Sequence, residues 1–509
     1  MKNKQIDPKL AALMGLIGIP VANANAAKHN RPNIIYIMAD DMGYGDLGCY
    51  GQPYFETPNI DRMASEGMRF TQAYAGAPVS APSRATILTG QHMGHTRIRG
   101  NKSMAKKDDA VTYGKVKEWS RVGQMPLDPN HITLFEIFKQ NGYATSMFGK
   151  WGLGYEGSNS TPDKRGIDEF YGYMCQTKAH QYYPNFLNRY CPERGDTGVV
   201  REVLEDNVNY PLMGDDYYKR TMYSADLIHQ RAMEWIDKQD KNKPFISFLT
   251  YTIPHAELAQ PNDSLLKYYK HKFLVDKTWS GGGRATYNDS EHTHAQFAAM
   301  IARLDAYVGQ IIQKLKDKGL DDNTIIIFTS DNGPHEEGGA DPAFFGRDGK
   351  LRGLKRQCYE GGIRIPFIVR WANHIKAGEV NDYQLAFYDL MPTFCDLAGI
   401  SSYEKRYRNK KIDDHFDGKS FAPTLFGNKV KDGHKYLYWE FAETDQIAVR
   451  RDDWKLIIIK GIPHLYNLAT DIHEDHDVSK ENPQIVDELI KVIKKEHSDS
   501  ELFKLTMPK

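Results

Sequence analysis

The 509-residue chain lacks any apolar run long enough to span a bilayer. The stretch from Ala11 to Val21 falls well short of the roughly 20 residues a membrane helix needs. It also lacks an excess of either charge. Lysine plus arginine and aspartate plus glutamate both number 66, for a formal net charge of zero. No global basic field draws in nucleic acid or a membrane surface, and attraction for an anion must be local. Cysteine is scarce. Cys49, Cys175, Cys191, Cys358 and Cys395 form no CxxC pair, and an odd count leaves at least one outside any intramolecular bridge. They read as buried thiols, or as one or two disulfides in an oxidising compartment. Internal repeats and low-complexity tracts are absent too.

What the chain does have begins with a leader. Lys2, Lys4 and Lys9 precede the Ala11–Val21 stretch, and small residues follow from Ala22 to Ala26. That order predicts a cleaved signal peptide over 1–26 and a periplasmic or secreted protein, with no cysteine placed to carry a lipid. Three later runs, Asn33–Ala39, Lys243–Tyr251 and Thr324–Ser330, are almost wholly apolar, as in buried parallel strands. Helical patterns alternate with them at Pro58–Ala64, His131–Asn141, Tyr218–Asp237, Ser290–Lys318 and Ala386–Ala398. The alternation predicts an α/β domain over 30–400, with a large mixed, mostly parallel sheet flanked by helices. From about Glu404 the texture changes to short strands (435–440, 446–450, 454–459, 465–468) and a helix from Asn482 to about His497. This predicts a smaller C-terminal subdomain over 401–509, an antiparallel sheet plus a helix.

Chemistry-bearing residues gather at the ends of the buried strands. Asp40 and Asp41 close the first, His255 follows Pro254 after the second, and Asp331 and Asn332 close the third. Open α/β sheets bind their ligands at that edge. Adjacent aspartates repel unless they share a cation. Three carboxylates and an amide are hard oxygen donors that suit Ca²⁺ or Mg²⁺, and not Zn²⁺. His255 can donate a proton near neutrality. Between these strands lies Pro78–Gly90, PVSAPSRATILTG. Pro82 is expected to keep Ser80 in an extended turn, with the helix running from Ser83 to Leu88 and stopping at Gly90. Ser80 then stands just ahead of a helix N-terminus, where backbone amides favour an anion, and Arg84 adds a cation one turn on. With Lys150 and Lys355 these residues would ring a small tetrahedral anion with positive charge, a device that stabilises charge during group transfer.

Five segments occur in order: ADDMGYGDLGCYG, SAPSRATILTG, GKWGLG, SDNGPH and LKRQCYEGGIRIP. Together they resemble the type I formylglycine-dependent sulfatases of the alkaline-phosphatase superfamily, over nearly all of the chain. The resemblance implies an alkaline-phosphatase-like fold and assigns roles by position. Asp40, Asp41, Asp331 and Asn332 match the Ca²⁺ ligands. Ser80 matches the residue oxidised to formylglycine (3-oxoalanine), which also touches the metal, and Arg84 the residue that positions it. Lys150 and Lys355 match sulfate-binding lysines, and His255 the histidine that protonates the leaving alcohol. In the mechanism so implied, one hydroxyl of hydrated formylglycine attacks sulfur, Asp331 takes the proton, and the second hydroxyl expels sulfate. One departure stands out: the family usually has histidine where this chain has Gly152, and two outcomes are open: another group such as His180 or His335 compensates, or the intermediate breaks down more slowly.

A serine precursor implies maturation by a radical SAM enzyme before export, and an anaerobic Gram-negative source. The Tyr- and His-rich stretch from Gly172 to Tyr190, read as an irregular loop, and the segment SDNGPHEEGG are similar to those of bacterial carbohydrate sulfatases acting on galactosamine sulfates. The expected activity is exo-acting removal of a 4-O or 6-O sulfate from galactose or N-acetylgalactosamine, with His180, His335 and Glu337 as sugar contacts. Two rivals stand beside it. Phosphomonoester or phosphodiester hydrolysis on the same fold would need further His and Asp ligands for a second metal. A non-catalytic binder of sulfated glycans would need no nucleophile precursor.

Overall fold

A computed structural model describes residues 31–104, 110–113, 116–119, 123–281, 287–410 and 414–508. The expected signal peptide, 1–26, lies outside them. Eleven strands among the described residues form the main sheet. They are β1 (Asn33–Ala39), β2 (Met68–Tyr74), β3 (Ala144–Lys150), β4 (Glu169–Tyr173), β5 (Phe186–Tyr190), β6 (Val200–Val203), β7 (Phe245–Thr250), β8 (Thr324–Ser330), β9 (Arg364–Trp371), β10 (Glu379–Asn381) and β11 (Leu385–Ala386). The spatial order is β10-β2-β9-β8-β1-β7-β3-β4-β5-β6, with β11 also on β2. The central strands β8, β1, β7, β3 and β4 run parallel to one another. The pairings β8–β9, β9–β2, β4–β5 and β5–β6 are antiparallel.

Every residue of β1, β7 and β8 is buried, which is why these runs carry no polar alternation. Successive side chains still separate by face. Ile35 and Ile37 join a core under α4 (Ser224–Lys238) and α6 (Thr293–Asp317), which follows α5 (Ser264–Lys272). Ile34, Tyr36 and Met38 join a second core under α2 (Ser80–Thr89), α3 (Leu134–Gln140) and α7 (Leu390–Leu397). A short first helix, α1 (Pro58–Ser65), packs Ile60 and Met63 into the first of these cores.

The smaller sheet is an antiparallel meander of β12 (Leu437–Phe441), β13 (Gln446–Arg451), β14 (Trp454–Ile459) and β15 (Ile462–Asn467). One face packs Ile447, Val449, Leu456 and Ile458 under Val486, Leu489 and Ile493 of α8 (Pro483–Glu496). The other packs Trp439, Ala448 and Ile457 against Tyr74, Val79 and Ile363 of the large unit. The four-stranded sheet thus sits directly behind the segments that enter α2 and β9.

Three local expectations need correction. The helix bearing Ser80 begins at Ser80 itself, with extended Val79 (φ −155°, ψ 155°) before it. Pro82 is third in that helix, where a missing N–H has no intrahelical partner to lose, so it does not delay the start. The helix expected from Tyr218 starts at Ser224, because Arg220 is extended (ψ 139°) and its guanidinium is bound by the Tyr183 carbonyl at 2.7 Å. The stretch 172–190 is not a loop throughout: Phe186–Tyr190 is a strand of the main sheet, and only the connection holding His180 is irregular. All five cysteines are free thiols.

Candidate active site

Parallel strands end on the same side of a sheet. The register sets Ala39 beside Ser330 and Met38 beside Thr250, and Gly149 also pairs with Thr250. Asp40, Lys150, Asp331 and the chain leading to His255 therefore emerge together at one edge. β2 ends at the same edge, since Tyr74 pairs with Arg364 at the start of β9, and it delivers Ser80. The loop before β9 delivers Lys355. Asp41 takes a left-handed backbone (φ 61°), a conformation aspartate tolerates better than most residues, and its N–H donates to Asp331 Oδ1 at 3.0 Å.

Ser80 is buried, and its Oγ donates to Asp40 Oδ1 at 3.1 Å. Lys150 Nζ donates to Ser80 Oγ at 3.2 Å and to Asp40 Oδ2 at 2.6 Å. Arg84 grips Asp331 Oδ2 through Nε at 3.2 Å and NH2 at 2.8 Å, while NH1 donates to the Lys150 carbonyl at 2.9 Å. Lys355 Nζ lies 2.8 Å from Asp41 Oδ2, 3.0 Å from His255 Nε2 and 3.2 Å from Glu337 Oε2. The Asn332 amide donates to Asp41 Oδ1 at 2.7 Å. Asp40, Asp41, Ser80, Arg84, Lys150, His255, Asp331, Asn332 and Lys355 thus meet in one buried constellation.

Its donor set fits a divalent cation. Ligand atoms of Asp40, Asp41 and His255 lie within 4.8 Å of one another. Asn332 Oδ1 is buried without a hydrogen-bond partner, a costly arrangement unless something else binds it. Three carboxylates and that amide oxygen match a hard ion such as Ca²⁺ or Mg²⁺.

The field inside is strong and mixed in sign. Burial pushes the Asp331 carboxyl up to about 6, with Asp40 adding to it against Arg84 and Lys150. Burial works against charge on Asp41, yet Lys355 and His255 hold its carboxyl well below the usual range. Burial and Lys355 bring His255 down to about 3, so it is neutral and its Nε2 accepts from Lys355. Burial opposes charge on Lys355 as well, but Asp41 and Glu337 raise it.

A pocket of about 340 Å³ opens over these groups, lined by His180, His255, Glu337, Lys355, Gln176 and Tyr287 among others. His180 stacks on His255 with centroids 4.5 Å apart, and its Nδ1 has no partner. Glu337 reaches the pocket and binds Lys355, Arg356 (2.6 Å) and Tyr287 (3.0 Å). His335 does not reach it. That ring is buried, with Nε2 on the Pro254 carbonyl at 3.1 Å and Nδ1 accepting from Glu337 N at 3.1 Å. Both nitrogens are spent on positioning, which makes His335 a poor substitute for the missing histidine and a poor sugar contact. Gly152 has φ 70°, and a Cβ there would meet Gln176 Nε2 at 2.7 Å. The volume next to Gly152 is thus occupied by Gln176.

Sequence reasoning missed Gln176, Tyr287 and Arg347. Arg347 is fully buried, binds Asp46 Oδ2 at 3.0 Å and donates to the carbonyls of Asp41 (2.8 Å) and His335 (3.0 Å). It locks the turn after β1. Only its charge between two glycines, in Gly346-Arg347-Asp348-Gly349, marked it in the sequence, and that pattern reads as a surface turn.

The sequence model described as Sulfatase matches residues 32–400, and one described as N-sulphoglucosamine sulphohydrolase, C-terminal, matches 353–500. The chain is 30% identical over 413 residues to the human N-acetylgalactosamine-6-sulfatase, covering 80% of this chain and 68% of that protein. It is 26% identical over 558 residues to an N-acetylgalactosamine-6-O-sulfatase of Bacteroides thetaiotaomicron, covering 96% and 99%. Among solved structures, that of Ps i-CgsB superposes with a TM-score of 0.71 at 26% identity, over 94% of this chain and 95% of that one. The same protein has been solved in complex with k-i-k-neocarrahexaose.

Proposed function

The chain belongs to the sulfatase family and is a sulfuric ester hydrolase, and from that premise we propose that it removes a 4-O or 6-O sulfate from a terminal galactose or N-acetylgalactosamine of a sulfated glycan. Relatives named N-acetylgalactosamine-6-sulfatase support the sugar. The observation that carries the chemistry is the seat of Ser80, first in a buried helix, with its Oγ between Asp40 and Lys150. Ser80 is the residue oxidised to formylglycine, by a radical SAM maturase before export to the periplasm or medium. Asp40, Asp41, Asp331 and Asn332 hold Ca²⁺, with Mg²⁺ as second choice. When present, the hydrated aldehyde supplies a nucleophilic hydroxyl, and the ion a Lewis acid for the sulfuryl oxygens.

The remaining work belongs to the chain. Lys150 and Lys355 bind sulfate oxygens and stabilise their charge. Arg84 ties Asp331 to the Lys150 backbone and so fixes two elements at once. Asp331, gripped by Arg84 at the same edge as Ser80, is placed to take the proton of the attacking hydroxyl. His255 accepts from Lys355 when no anion is near. A sulfate beside Nε2 draws the ammonium to itself, Nε2 takes up a proton from solvent in the pocket, and the leaving oxygen takes that proton as its bond to sulfur breaks.

The test is mass spectrometry of the tryptic peptide bearing residue 80, paired with sulfate release from a panel of monosulfated sugars. The expected result is a peptide lighter than the serine form by two hydrogens, and release from 4- or 6-sulfated galactose or N-acetylgalactosamine only by chains that carry it. Ser80→Ala should release none. Steady turnover by protein carrying only serine at position 80 would refute the reading.

A further inference from the structure

Helix α2, which carries Ser80, has no cap of its own. Val79 precedes it with an extended backbone and a side chain that cannot accept a hydrogen bond. The first turn of a helix leaves its amides without partners inside the helix. Pro82 has no N–H to satisfy, and Ser83 N reaches back to the Val79 carbonyl at 3.3 Å. Ala81 N, next to the nucleophile, donates instead to Asn101 Oδ1 at 2.9 Å. A residue from another segment thus caps the helix from outside. Asn101 is held in turn by the small unit, where Glu443 Oε1 accepts from Asn101 N at 2.7 Å. Gly100 makes room for that bond, since a Cβ there would stand 2.8 Å from Glu443 Oε1.

An amide N–H can meet only the oxygen of a carboxamide, so the bond from Ala81 fixes which way the Asn101 side chain points. Its Nδ2 is turned away from Ala81 and bonds to no other described residue. Asn101 lines the sulfate pocket together with His255 and Lys355. Two donor hydrogens therefore stand beside the residue next to Ser80, where the sulfuryl oxygens of a substrate must come. A donor facing a charged oxygen makes one of the stronger hydrogen bonds. We infer that Asn101 is a further substrate-binding residue, whose Oδ1 fixes the first turn of the nucleophile's helix while Nδ2 donates to a sulfuryl oxygen. The inference rests on the sulfatase reading above.

Two substitutions separate the two ends of this side chain. Asn101→Asp caps a helix as well as asparagine does, but it offers no donor and sets a carboxylate against sulfate. Asn101→Ala loses both ends. Hydrogen–deuterium exchange of the peptide spanning 76–90 reads the cap: uptake should rise in Asn101→Ala and match wild type in Asn101→Asp. Sulfate release reads the donor, with each protein normalised to its formylglycine content at residue 80. There kcat/KM should fall about tenfold in Asn101→Ala and about a hundredfold in Asn101→Asp. Calorimetry with inorganic sulfate needs no turnover, and affinity should fall about tenfold or more in Asn101→Asp. Thr133→Ala is the control for a lost cap as such. It strips α3 of the bond from Glu136 N, outside the sulfate pocket, and should keep the wild-type kcat/KM. Wild-type kcat/KM in Asn101→Asp, or equal or absent sulfate binding in both proteins, overturns the donor. Unchanged exchange in Asn101→Ala overturns the cap. A loss of activity in Thr133→Ala as large as in Asn101→Ala would reduce the effect to general destabilisation and overturn the assignment. A wild type that binds inorganic sulfate but releases none from any sulfated sugar counts against the substrate reading instead.

Discussion

At the scale of single residues, the site is a set of charges that cancel only in pairs. Lys150 serves Asp40, Lys355 serves Asp41 and Arg84 serves Asp331, all out of water. Asn332 Oδ1 is the one polar atom of the group left without a partner, and it belongs to the residue with least charge to lose. A divalent cation bound there should stabilise the fold by mass action, by about 2.7 kcal/mol at a hundredfold excess over its Kd. Thermal melts with and without Ca²⁺, after chelation, should therefore differ in midpoint for wild type. Asn332→Ala removes one ligand and the bond to Asp41, and should keep the fold but lose most of that rise. An equal Ca²⁺ shift in both proteins would exclude Asn332 from the ion's shell. Asp40, Asp41, Asp331 and Asn332 were legible because they close apolar strands, whereas the roles of Ser80, Arg84, Lys150 and Lys355 were legible through the resemblance their motifs carry. What was not legible lies away from strand ends. Arg347 and Gln176 matter through space, Gln176 because Gly152 has no side chain to fill the same volume.

At the scale of elements, the clearest departures are helix starts. Apolar periodicity located α4 and α6, and the Pro82 and Gly90 signals located α2, but not their first residues. Those depend on contacts from afar, such as Arg220 with Tyr183, or on the position of a proline within the first turn. The end of α8 shows such a contact at work. His497, its C-cap, donates from Nδ1 to Glu440 Oε1 at 2.7 Å, while Arg99 holds Glu440 Oε2 at 3.1 Å and Asp499 lies 3.5 Å from Nε2. The hydrogen bond to Glu440 raises the His497 pKa above its ordinary 6.5, against burial. A raised histidine contributes stability that is complete below about 6.5 and is lost as pH climbs through the folded value. The melting midpoint should thus fall more steeply from pH 6 to 8 in wild type than in His497→Gln. For a chain this long the difference will be on the order of 1 °C. Parallel pH profiles for the two proteins would mean that the Glu440 contact is not coupled to folding.

At the scale of the molecule, the small sheet is part of the active site without touching substrate. It shapes the loop that carries Lys355. Gln446 Oε1 accepts from Cys358 N at 2.8 Å, Thr444 Oγ1 donates to the Arg356 carbonyl at 3.1 Å, and Glu474 Oε2 accepts from Glu360 N at 2.7 Å. Beneath them lies a buried triad in which Lys455 of β14 joins Glu360 of the loop (2.9 Å) to Glu474 (3.0 Å). Burial, with Glu360 nearby, pushes Glu474 up to about 7, so the triad has little charge to spare. Removing the shared ammonium strips Glu474 of its cation and leaves Glu360 the longer contacts to Arg364 (3.3 Å) and Arg450 (3.8 Å). Lys455→Met should destabilise the protein by about 3–5 kcal/mol, and should lower kcat/KM although Lys455 lies outside the sulfate pocket. Adding Glu474→Gln removes the second negative charge and should recover part of both losses. If Lys455→Met melts like wild type, or if activity falls with no change in stability and no rescue, the two sheets are not joined through this triad in the way the packing implies.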